Sequence, residues 1–360
     1  MFPKLRFKEF DGDWLKLKYK DVLTIKYGKD HKSLNDGDIP VYGTGGLMRH
    51  VNKYLYDGES ILIGRKGTID KPKYINEKFW TVDTLFYTEI EESIVPLFLY
   101  QHALEVNWLG LNEATGVPSL NTTSIYNIDI SIPSKEEQTK IASFLSAVDE
   151  KISQLTQKLE LLSQYKQGMM QKLFSQQIRF KADDGSEFGE WGNSYIGDVC
   201  KITTGNKDTQ NKVDDGEYPF FVRSQTVERI NSYSMDCEAV LTSGDGVGVG
   251  KNYHYIDGKF DFHQRVYCLF DFSENILGKY LYIYFSSYFY DRVKRLSAKN
   301  SVDSVRMDMI SKMEIQLPCL EEQTKIANFL SSIDQKIEVV GQQIEQAKQW
   351  KKGLLQQMFI

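Results

Sequence analysis

The sequence has 360 residues, of which 41% are apolar and 26% are charged, and its formal net charge is -5 at pH 7. Because a single hydrophobic core stops growing near ~250 to 300 residues, we expect at least two domains. The charged beginning of the chain and the lack of any run of about 18 uncharged apolar residues favour a cytoplasmic protein without signal peptide or membrane span. Binding to nucleic acid would depend on local basic clusters, and basic residues outnumber acidic ones from Arg49 to Lys78 and from Asp291 to Arg306.

Motifs of metal binding and catalysis are not supported by the sequence. The four cysteines lack the spacing of a zinc site, so we expect free thiols and no bound metal. The run from Gly244 to Lys251 is superficially similar to a phosphate-binding loop, but Asp245 stands where its first glycine is required. An adenine methyltransferase that acts by itself needs an Asn/Asp-Pro-Pro-aromatic motif, and no two prolines are adjacent here. We therefore expect no catalytic residues and no cofactor in this chain.

Two regions of the chain have the pattern of mixed α/β domains. In the first, short apolar runs such as Ser60 to Ile63 are divided by glycine-rich turns and predict strands, and Val95 to Glu105 predicts a helix. The second has the same character, with a strand predicted at Arg265 to Leu269 and a helix at Leu277 to Leu296. Each region is therefore expected to form its own domain.

An internal repeat defines the organisation of the chain. The segment PSKEEQTKIASFLSAVDEKI, from Pro133 to Ile152, recurs as PCLEEQTKIANFLSSIDQKI from Pro318 to Ile337. Weaker echoes, such as Gly12-Asp13-Trp14 and Gly189-Glu190-Trp191, extend the repeat into both domains. The predicted limits are 1–132 and 178–317 for the two domains, and 133–177 and 318–360 for the two helical segments.

The repeated segments predict two long helices that pack together. Apolar residues such as Ile141, Leu145 and Val148 recur in steps of four and three, which is a heptad seam, and Lys166 and Lys351 interrupt both seams at the same place. A helix of roughly 40 residues is ~60 Å long. Joining the end of the chain to its beginning recreates the central junction, so we expect neighbouring termini, pseudo-two-fold symmetry and an antiparallel coiled coil. The predicted fold class is α+β, with two mixed α/β domains separated by two long antiparallel helices.

The order of variable domain, helix, variable domain and helix, with two copies of P-x-x-E-E-Q-x-K-I-A-x-F-L, resembles the specificity subunits of Type I restriction-modification systems. The resemblance covers the whole chain. It implies that each domain is a target-recognition domain that reads one half of a split double-stranded DNA sequence. It also implies that the helices set the spacer and dock two methyltransferase subunits, which bind S-adenosylmethionine, and that restriction subunits join the nuclease form. A duplicated coiled-coil adaptor without sequence-specific DNA binding is the alternative.

Two loops in each domain are candidates for DNA contact. One contains glycines and follows a strand, so its backbone would be able to approach phosphates closely; the other is rich in small polar residues and precedes the long helix. Arg65 suits bidentate hydrogen bonding to guanine, and Asp245 suits accepting from cytosine, whereas capping of turns is the alternative role. The candidate DNA-contacting residues of these loops are Arg65, Lys66, Gly67, Thr68, Thr115, Gly116, Ser119 and Asn121 in the first domain, and Ser243, Gly244, Asp245, Gly246, Lys299, Asn300, Ser301, Ser304 and Arg306 in the second. His263 and Arg265, which stand opposite Val82 and Asp83 of the first domain, are further candidates, and a structural role is the alternative for the histidine.

The beginning of each long helix is a candidate surface for a partner subunit. Phe144 and Phe329 lie just off the heptad seam at matching positions, and packing against their own domains is the alternative role for them. The candidate partner-binding residues are Glu136, Glu137, Gln138, Ile141, Phe144, Glu321, Glu322, Gln323, Ile326 and Phe329.

Overall fold

A computed structural model describes residues 3–246, 248–296 and 304–359. The chain divides into two compact units: unit 1 consists of Met1–Glu160 and Val339–Ile360, and unit 2 of Leu161–Glu338. Each unit therefore combines one globular region with a part of each long helix. The candidate residues Lys299, Asn300 and Ser301 lie outside the described residues. The domain limits stated above stay a prediction.

Unit 1 is built on a mixed sheet of six strands in the order β2-β7-β5-β6-β3-β4, in which β3 and β6 are parallel and the other pairs antiparallel. A separate antiparallel pair, β1 and β8, lies at the ends of the globular region. The elements are β1 (Leu15–Lys18), β2 (Leu23–Tyr27), β3 (Ile39–Gly43), β4 (Gly46–Val51), β5 (Tyr56–Gly64), β6 (Lys73–Thr81), β7 (Leu85–Ile90), α1 (Pro96–Glu105), α2 (Thr122–Tyr126), β8 (Asp129–Ile132) and the long helix α3 (Lys135–Phe174).

The central strand β5 is buried on both faces, and this explains its continuous apolar run. Successive side chains of a strand point to opposite faces of the sheet. Ile61 and Ile63 accordingly join the core cluster that contains Phe98 of α1, whereas Leu62 joins a second cluster with Phe79. The sheet thus separates two cores. The exposed side chains of the loops at the ends of its strands are not part of either core, so they can differ between the two units.

Unit 2 repeats this topology. Its six-stranded sheet has the order β10-β15-β13-β14-β11-β12, again with one parallel pair, β11 and β14, and β9 pairs with β16. The elements are β9 (Gly192–Tyr195), α4 (Ile196–Val199), β10 (Lys201–Thr204), β11 (Tyr218–Phe221), β12 (Glu228–Ile230), β13 (Met235–Ser243), β14 (Tyr253–Phe262), β15 (Val266–Phe270), α5 (Gly278–Leu296), α6 (Met307–Ser311), β16 (Glu314–Leu317) and the long helix α7 (Leu320–Met358).

Strand by strand, the two sheets have equivalent neighbours, so the duplication read from the helices extends through both domains. The prediction of an α+β chain with two mixed domains and two long helices is confirmed. The largest difference is the helix after the sheet, which has 10 residues in α1 and 19 in α5. Among the described residues, no helix combines the length and apolar character needed to span a membrane.

Within each unit, the long helices pack with the start of one beside the end of the other. In unit 1, Ile141 and Leu145 of α3 share a core cluster with Leu354 and Met358 of α7. In unit 2, Leu173 and Phe174 at the end of α3 share a cluster with Ile326 and Leu330 near the start of α7. This is the packing of antiparallel helices, as the heptad pattern and the circular repeat predict.

The lysines that interrupt the heptad seams form ion pairs with aspartates on the facing helix. In unit 1, Lys351 Nζ lies 2.7 Å from Asp149 Oδ1, and in unit 2, Lys166 Nζ lies 2.6 Å from Asp334 Oδ1. A charged pair in an apolar seam tolerates few alternative registers, because a shifted helix would leave both charges without partners. The ends of the chain also meet in unit 1, where the Leu5 amide donates to the Gln357 carbonyl oxygen at 2.9 Å.

Candidate functional site

The two candidate loops of unit 1 meet at one end of the sheet. Lys66, just after β5, forms an isolated antiparallel bridge with Ser119, which precedes α2. The Gly67 amide donates to the Pro118 carbonyl oxygen at 2.8 Å, and the Leu120 amide donates to the Arg65 carbonyl oxygen at 2.9 Å. The predicted loops therefore form one surface, with the Arg65, Lys66, Thr115 and Gly116 positions exposed and Gly67, Thr68, Ser119 and Asn121 half-buried.

The corresponding loops of unit 2 meet in the same way. Asp245 forms an isolated antiparallel bridge with Ser304, and the Val305 amide donates to the Gly244 carbonyl oxygen at 2.7 Å. Lys66 and Asp245 therefore occupy equivalent backbone positions, as do Ser119 and Ser304. Gly246 and Arg306 are exposed, Asp245 is half-buried, and Ser243 and Gly244 are buried. The structure thus keeps the backbone of this site and changes its side chains.

Some of the candidate residues serve the loops themselves. The Asn121 side chain accepts a hydrogen bond from the Ser124 amide at 2.7 Å and so caps the start of α2. Gly67 and Gly246 both have positive φ angles, 99° and 77°, which side chains rarely adopt, so glycine is favoured at this turn in both units. Asn112, which the sequence did not single out, accepts from the Ser119 amide at 2.9 Å and holds the second loop of unit 1 in place.

The loop surface of unit 1 is basic. The Arg65 guanidinium lies 5.5 Å from the centre of the exposed Tyr27 ring and donates to the Asp83 carbonyl oxygen at 3.1 Å, which gives this side chain a defined direction. Lys71 and Lys73 are exposed, and both line a cavity of about 250 Å³ next to the loop. These cations come from the basic cluster that the sequence shows between Arg49 and Lys78.

The loop surface of unit 2 is organised by a carboxylate between two arginines. Asp245 Oδ1 accepts from Arg223 Nη1 at 3.0 Å, and Asp245 Oδ2 lies 3.6 Å from Arg265 Nε. Arg223, in the turn after β11, was not predicted; its signal in the sequence is its place opposite the Gly43-Thr44 turn of the first half. The carboxylate of Asp245 is therefore engaged by the protein's own arginines, and it directs their guanidinium groups at the loop surface.

His263 has a structural place in unit 2. Its side chain is 3% exposed, and its Nδ1 accepts from the Arg265 amide at 2.9 Å, which stabilises the turn between β14 and β15. Burial, followed by the nearby Arg223 guanidinium, lowers the pKa of His263, so the neutral form that accepts this hydrogen bond is favoured. The geometry fits a role in holding the loop, with Arg265 as the side chain that reaches the surface.

The repeated Glu-Glu-Gln motif at the start of each long helix lies largely in the protein interior. Arg6 donates from Nε and Nη2 to the two carboxylate oxygens of Glu137, each at 2.7 Å, and Arg179 donates in the same way to Glu322 at 3.1 and 2.7 Å. The indole nitrogen of Trp191 also donates to Glu322, at 2.9 Å. These ion pairs connect the first residues of each predicted domain to the start of the long helix in the same unit.

The glutamines complete the connection. Gln138 Oε1 accepts from the Val95 amide at 2.8 Å, just before α1, and Gln323 Oε1 accepts from the Leu277 amide at 2.9 Å, just before α5. Both glutamines are buried. Six of the predicted partner-binding residues are buried and therefore cannot contact a partner in this structure: Glu137, Gln138, Ile141, Glu322, Gln323 and Ile326.

The predicted partner surface therefore narrows to Glu136, Phe144, Glu321 and Phe329. The glutamates are exposed and the two phenylalanines half-buried. Phe144 packs edge-on against Phe7, and Phe329 packs edge-on against Phe180, both at 5.7 Å between ring centres. Each phenylalanine thus contacts its own unit, as the alternative interpretation expected, and only part of each ring remains available.

An apolar groove between the helices of unit 1 was not predicted. Phe144, Leu155, Ala347 and Trp350 contribute to its lining, and Trp350 is 54% exposed. Tyr165 has the equivalent place in the repeat and is 51% exposed. Large exposed aromatic side chains at matching helix positions are typical of a protein interface. The signal in the sequence is that YKQGMMQKLF, from Tyr165 to Phe174, recurs as WKKGLLQQMF from Trp350 to Phe359, so both copies begin with an aromatic residue.

Two units of one topology, each with equivalent loops that carry different side chains and each joined to two long helices, define a duplicated recognition scaffold. The family model for the Type I restriction modification DNA specificity domain matches residues 11–164 and 189–349, and the chain belongs to this family.

Individual proteins agree with this assignment. The Type I restriction enzyme MjaVIII specificity subunit of Methanocaldococcus jannaschii is 28% identical, over 84% of this chain and 76% of its own length. The putative type I restriction enzyme MjaX specificity subunit of the same organism is 26% identical, over 98% of this chain and 94% of its own. The crystal structure of the Type-I restriction-modification system S subunit from M. genitalium has the same fold, with a TM-score of 0.74 at 14% identity, covering 100% of this chain and 99% of that one.

Proposed function

We propose that this chain is the non-catalytic DNA sequence-specificity subunit of a Type I restriction-modification complex, and that the loop surface of each unit reads one half of a bipartite DNA target. The observation that carries the proposal is the pair of equivalent loop surfaces with different chemistry. Lys66 and Asp245 share one backbone position with opposite charge. Base edges in the major groove differ in their donors and acceptors, so two such surfaces favour different base pairs.

Arginine side chains are the strongest candidates for base recognition in both units. A guanidinium reads guanine well when its direction is fixed, because both hydrogen bonds must form together. Arg65 is directed by Tyr27 and the Asp83 carbonyl group, and Arg223 and Arg265 are directed by Asp245. Lys66, Lys71 and Lys73 suit phosphate contacts, which position the protein without selecting a sequence.

The long helices have a second role in this proposal. They set the spacer between the two half-targets and dock two methyltransferase subunits, which bring S-adenosylmethionine, and restriction subunits join the nuclease form. The groove beside Trp350 and the exposed ring of Tyr165 support docking, since each unit offers an aromatic side chain at the same place of the repeat. Glu136 and Glu321, exposed near the start of α3 and α7, add charge that suits a basic partner surface.

Mapping of adenine methylation in cells with and without this gene tests the recognition role. A gene-dependent motif made of two specified halves and an unspecified spacer is expected. Exchange of residues 178–317 for those of a relative should change one half of the motif and leave the other intact. Gene-independent methylation, or weak binding to DNA irrespective of sequence, would support the coiled-coil adaptor and count against recognition.

Co-purification of the chain with its methyltransferase subunit tests docking separately. Trp350→Ala and Tyr165→Ala should each reduce the amount of methyltransferase that co-purifies, and the double variant should reduce it further. Leu109→Ala is a matched control, since Leu109 is 58% exposed in unit 1 but lies outside the groove. Equal co-purification by the double variant and this control would rule out the groove as the docking site.

A further inference from the structure

The hairpin of β3 and β4 in unit 1 exposes two large apolar side chains. Its turn, Gly43 to Gly46, contains three glycines, and the next residues, Leu47 and Met48, are 55% and 56% exposed. Exposed leucine and methionine are common singly on protein surfaces, but two in succession at a hairpin tip leave more than half of each residue exposed at one place.

A β-bulge lies beside both side chains. Tyr42 pairs with Leu47, but Val41 pairs with Arg49, so Met48 is an extra residue on β4. In a regular strand, neighbouring side chains alternate between the two faces, and a bulge interrupts this alternation and redirects a side chain. The Met48 sulfur packs over Gly43 of the facing strand, where an added Cβ atom would lie 2.7 Å from it, and more than half of Leu47 and of Met48 stays exposed.

The hairpin tip adjoins the basic loop surface of unit 1. A Cβ atom placed on Gly67 would lie 3.4 Å from Thr44 Oγ1 in the turn, so the tip and the Gly64 to Thr68 loop lie next to each other. The two share the cavity of about 250 Å³ that Lys71 and Lys73 also line. An apolar projection is therefore bordered by exposed cations.

We propose that Leu47 and Met48 form an apolar wedge that enters between stacked base pairs in the half-target read by unit 1. This inference rests on the proposed function, and it names how one unit deforms the DNA. Proteins that insert leucine or methionine between base steps combine the apolar tip with cations that bind the neighbouring phosphates, and unstacking one step kinks the duplex. The cations around the tip favour a polyanion over an apolar protein surface as its occupant.

The hairpin of β11 and β12, which the structure describes completely, lacks this feature, and this makes the proposal specific to one half-target. Its equivalent strands, β11 and β12, pair without a register shift, and their connection carries Arg223, which is held by Asp245. Val227 is the most exposed apolar residue of that connection, at 41%. We therefore expect the half-target read by unit 2 to keep its stacking at the corresponding place.

The experiment uses the complex of the full chain with its methyltransferase subunits and duplexes that contain the mapped target. 2-Aminopurine replaces one base at a time, except the adenine that is methylated, because the methyltransferase itself unstacks that base. The wild-type complex should raise fluorescence at one step of the half-target assigned to unit 1 by domain exchange. Leu47→Ala with Met48→Ala should remove this signal and weaken target binding about tenfold. Leu47→Lys with Met48→Lys should also remove it while keeping binding to unrelated DNA.

Val227→Ala is the matched control and should leave both signal and affinity unchanged. Because Leu47 and Met48 are exposed, their variants should keep the wild-type unfolding temperature and the wild-type fluorescence at the methylated adenine. An unchanged signal in the alanine variant, or no signal in the wild type that discriminates its target, would refute the wedge. Loss of methyltransferase co-purification in that variant would show a protein-docking tip and also refute it. Failure of the wild type to distinguish target from scrambled DNA would refute the proposed function instead.

Discussion

Replacement of Arg179 by alanine should destabilise the start of α7, because the buried Glu322 carboxylate would keep only one of its three hydrogen-bond donors. The Glu322 side chain is 0% exposed and accepts from Arg179 Nε, Arg179 Nη2 and Trp191 Nε1. Breaking a buried ion pair by removal of one partner costs about 3 to 5 kcal/mol. Arg179 is itself 22% exposed, so water can approach the vacated place, and we expect Arg179→Ala to cost about 3 kcal/mol.

The equivalent pair of unit 1 should be more sensitive. Arg6 is 13% exposed and Glu137 2%, and the indole nitrogen of Trp14, the counterpart of Trp191, has no hydrogen-bond partner among the described residues. Glu137 therefore lacks the indole donor that Glu322 retains when its arginine is removed. Arg6→Ala should cost about 4 kcal/mol, more than the change at Arg179.

Hydrogen exchange measured by mass spectrometry reports on the Arg6–Glu137 and Arg179–Glu322 pairs independently. A single unfolding curve of a chain with two units does not separate them. Amides in the first turns of α3 should lose protection in Arg6→Ala, and those in the first turns of α7 in Arg179→Ala. Lys325→Ala is the control on α7, since Lys325 pairs with Asp183, which is 94% exposed, and it should destabilise the start of α7 much less than Arg179→Ala. If Arg179→Ala lowers the protection of these amides no more than the control does, the ion pair of Arg179 with Glu322 does not stabilise the start of α7 and the reasoning is wrong.

Three further outcomes follow from single contacts. Burial lowers the pKa of His102 to about 4. An unfolded histidine titrates near ~6.5, so the stability of unit 1 should be full above that pH and fall by about 2 kcal/mol at pH 5, and His102→Phe should remove this part of the pH dependence of unfolding. Lys351→Ala should destabilise the helix pair of unit 1 by about 1 kcal/mol, and the reversed pair Lys351→Asp with Asp149→Lys should restore most of it in urea unfolding. Lys66→Ala should weaken binding to all DNA sequences alike and lower the salt dependence by about one counterion in titrations at several salt concentrations.

The helices and their pairing could be predicted because their information is local and repeated. A heptad seam predicts a helix and also a second helix that packs against its apolar stripe. The repeated segment from Pro318 to Ile337 provides that second helix. Even the lysines that break the seam are copied, so their pairing with Asp149 and Asp334 is encoded at equivalent positions. The strand order of the sheets has no such signal, because the parallel contacts of β3 with β6 and β11 with β14 join segments far apart in sequence.

The repeated Glu-Glu-Gln motif shows why similarity between two halves does not by itself indicate a surface. Glutamate is rarely fully buried without a partner, so an exposed, partner-binding place was a reasonable prediction for Glu137 and Glu322. The partners are Arg6 and Arg179, each more than a hundred residues earlier. The sequence repeats Arg-Phe-Lys at residues 6–8 and 179–181, but such a repeat does not show which side chains contact each other.

The candidate DNA-contacting residues of the loops are the least predictable part, because one backbone position can hold side chains with opposite charge. At the bridge with the second loop, Lys66 presents a cation directly, whereas Asp245 presents cations indirectly by holding Arg223 and Arg265. A carboxylate in the sequence suggests acceptance from cytosine, yet its geometry makes it a support for two guanidinium groups. Recognition therefore depends on which charges each loop binds within its own unit, and variants of Asp245 should change specificity through those arginines.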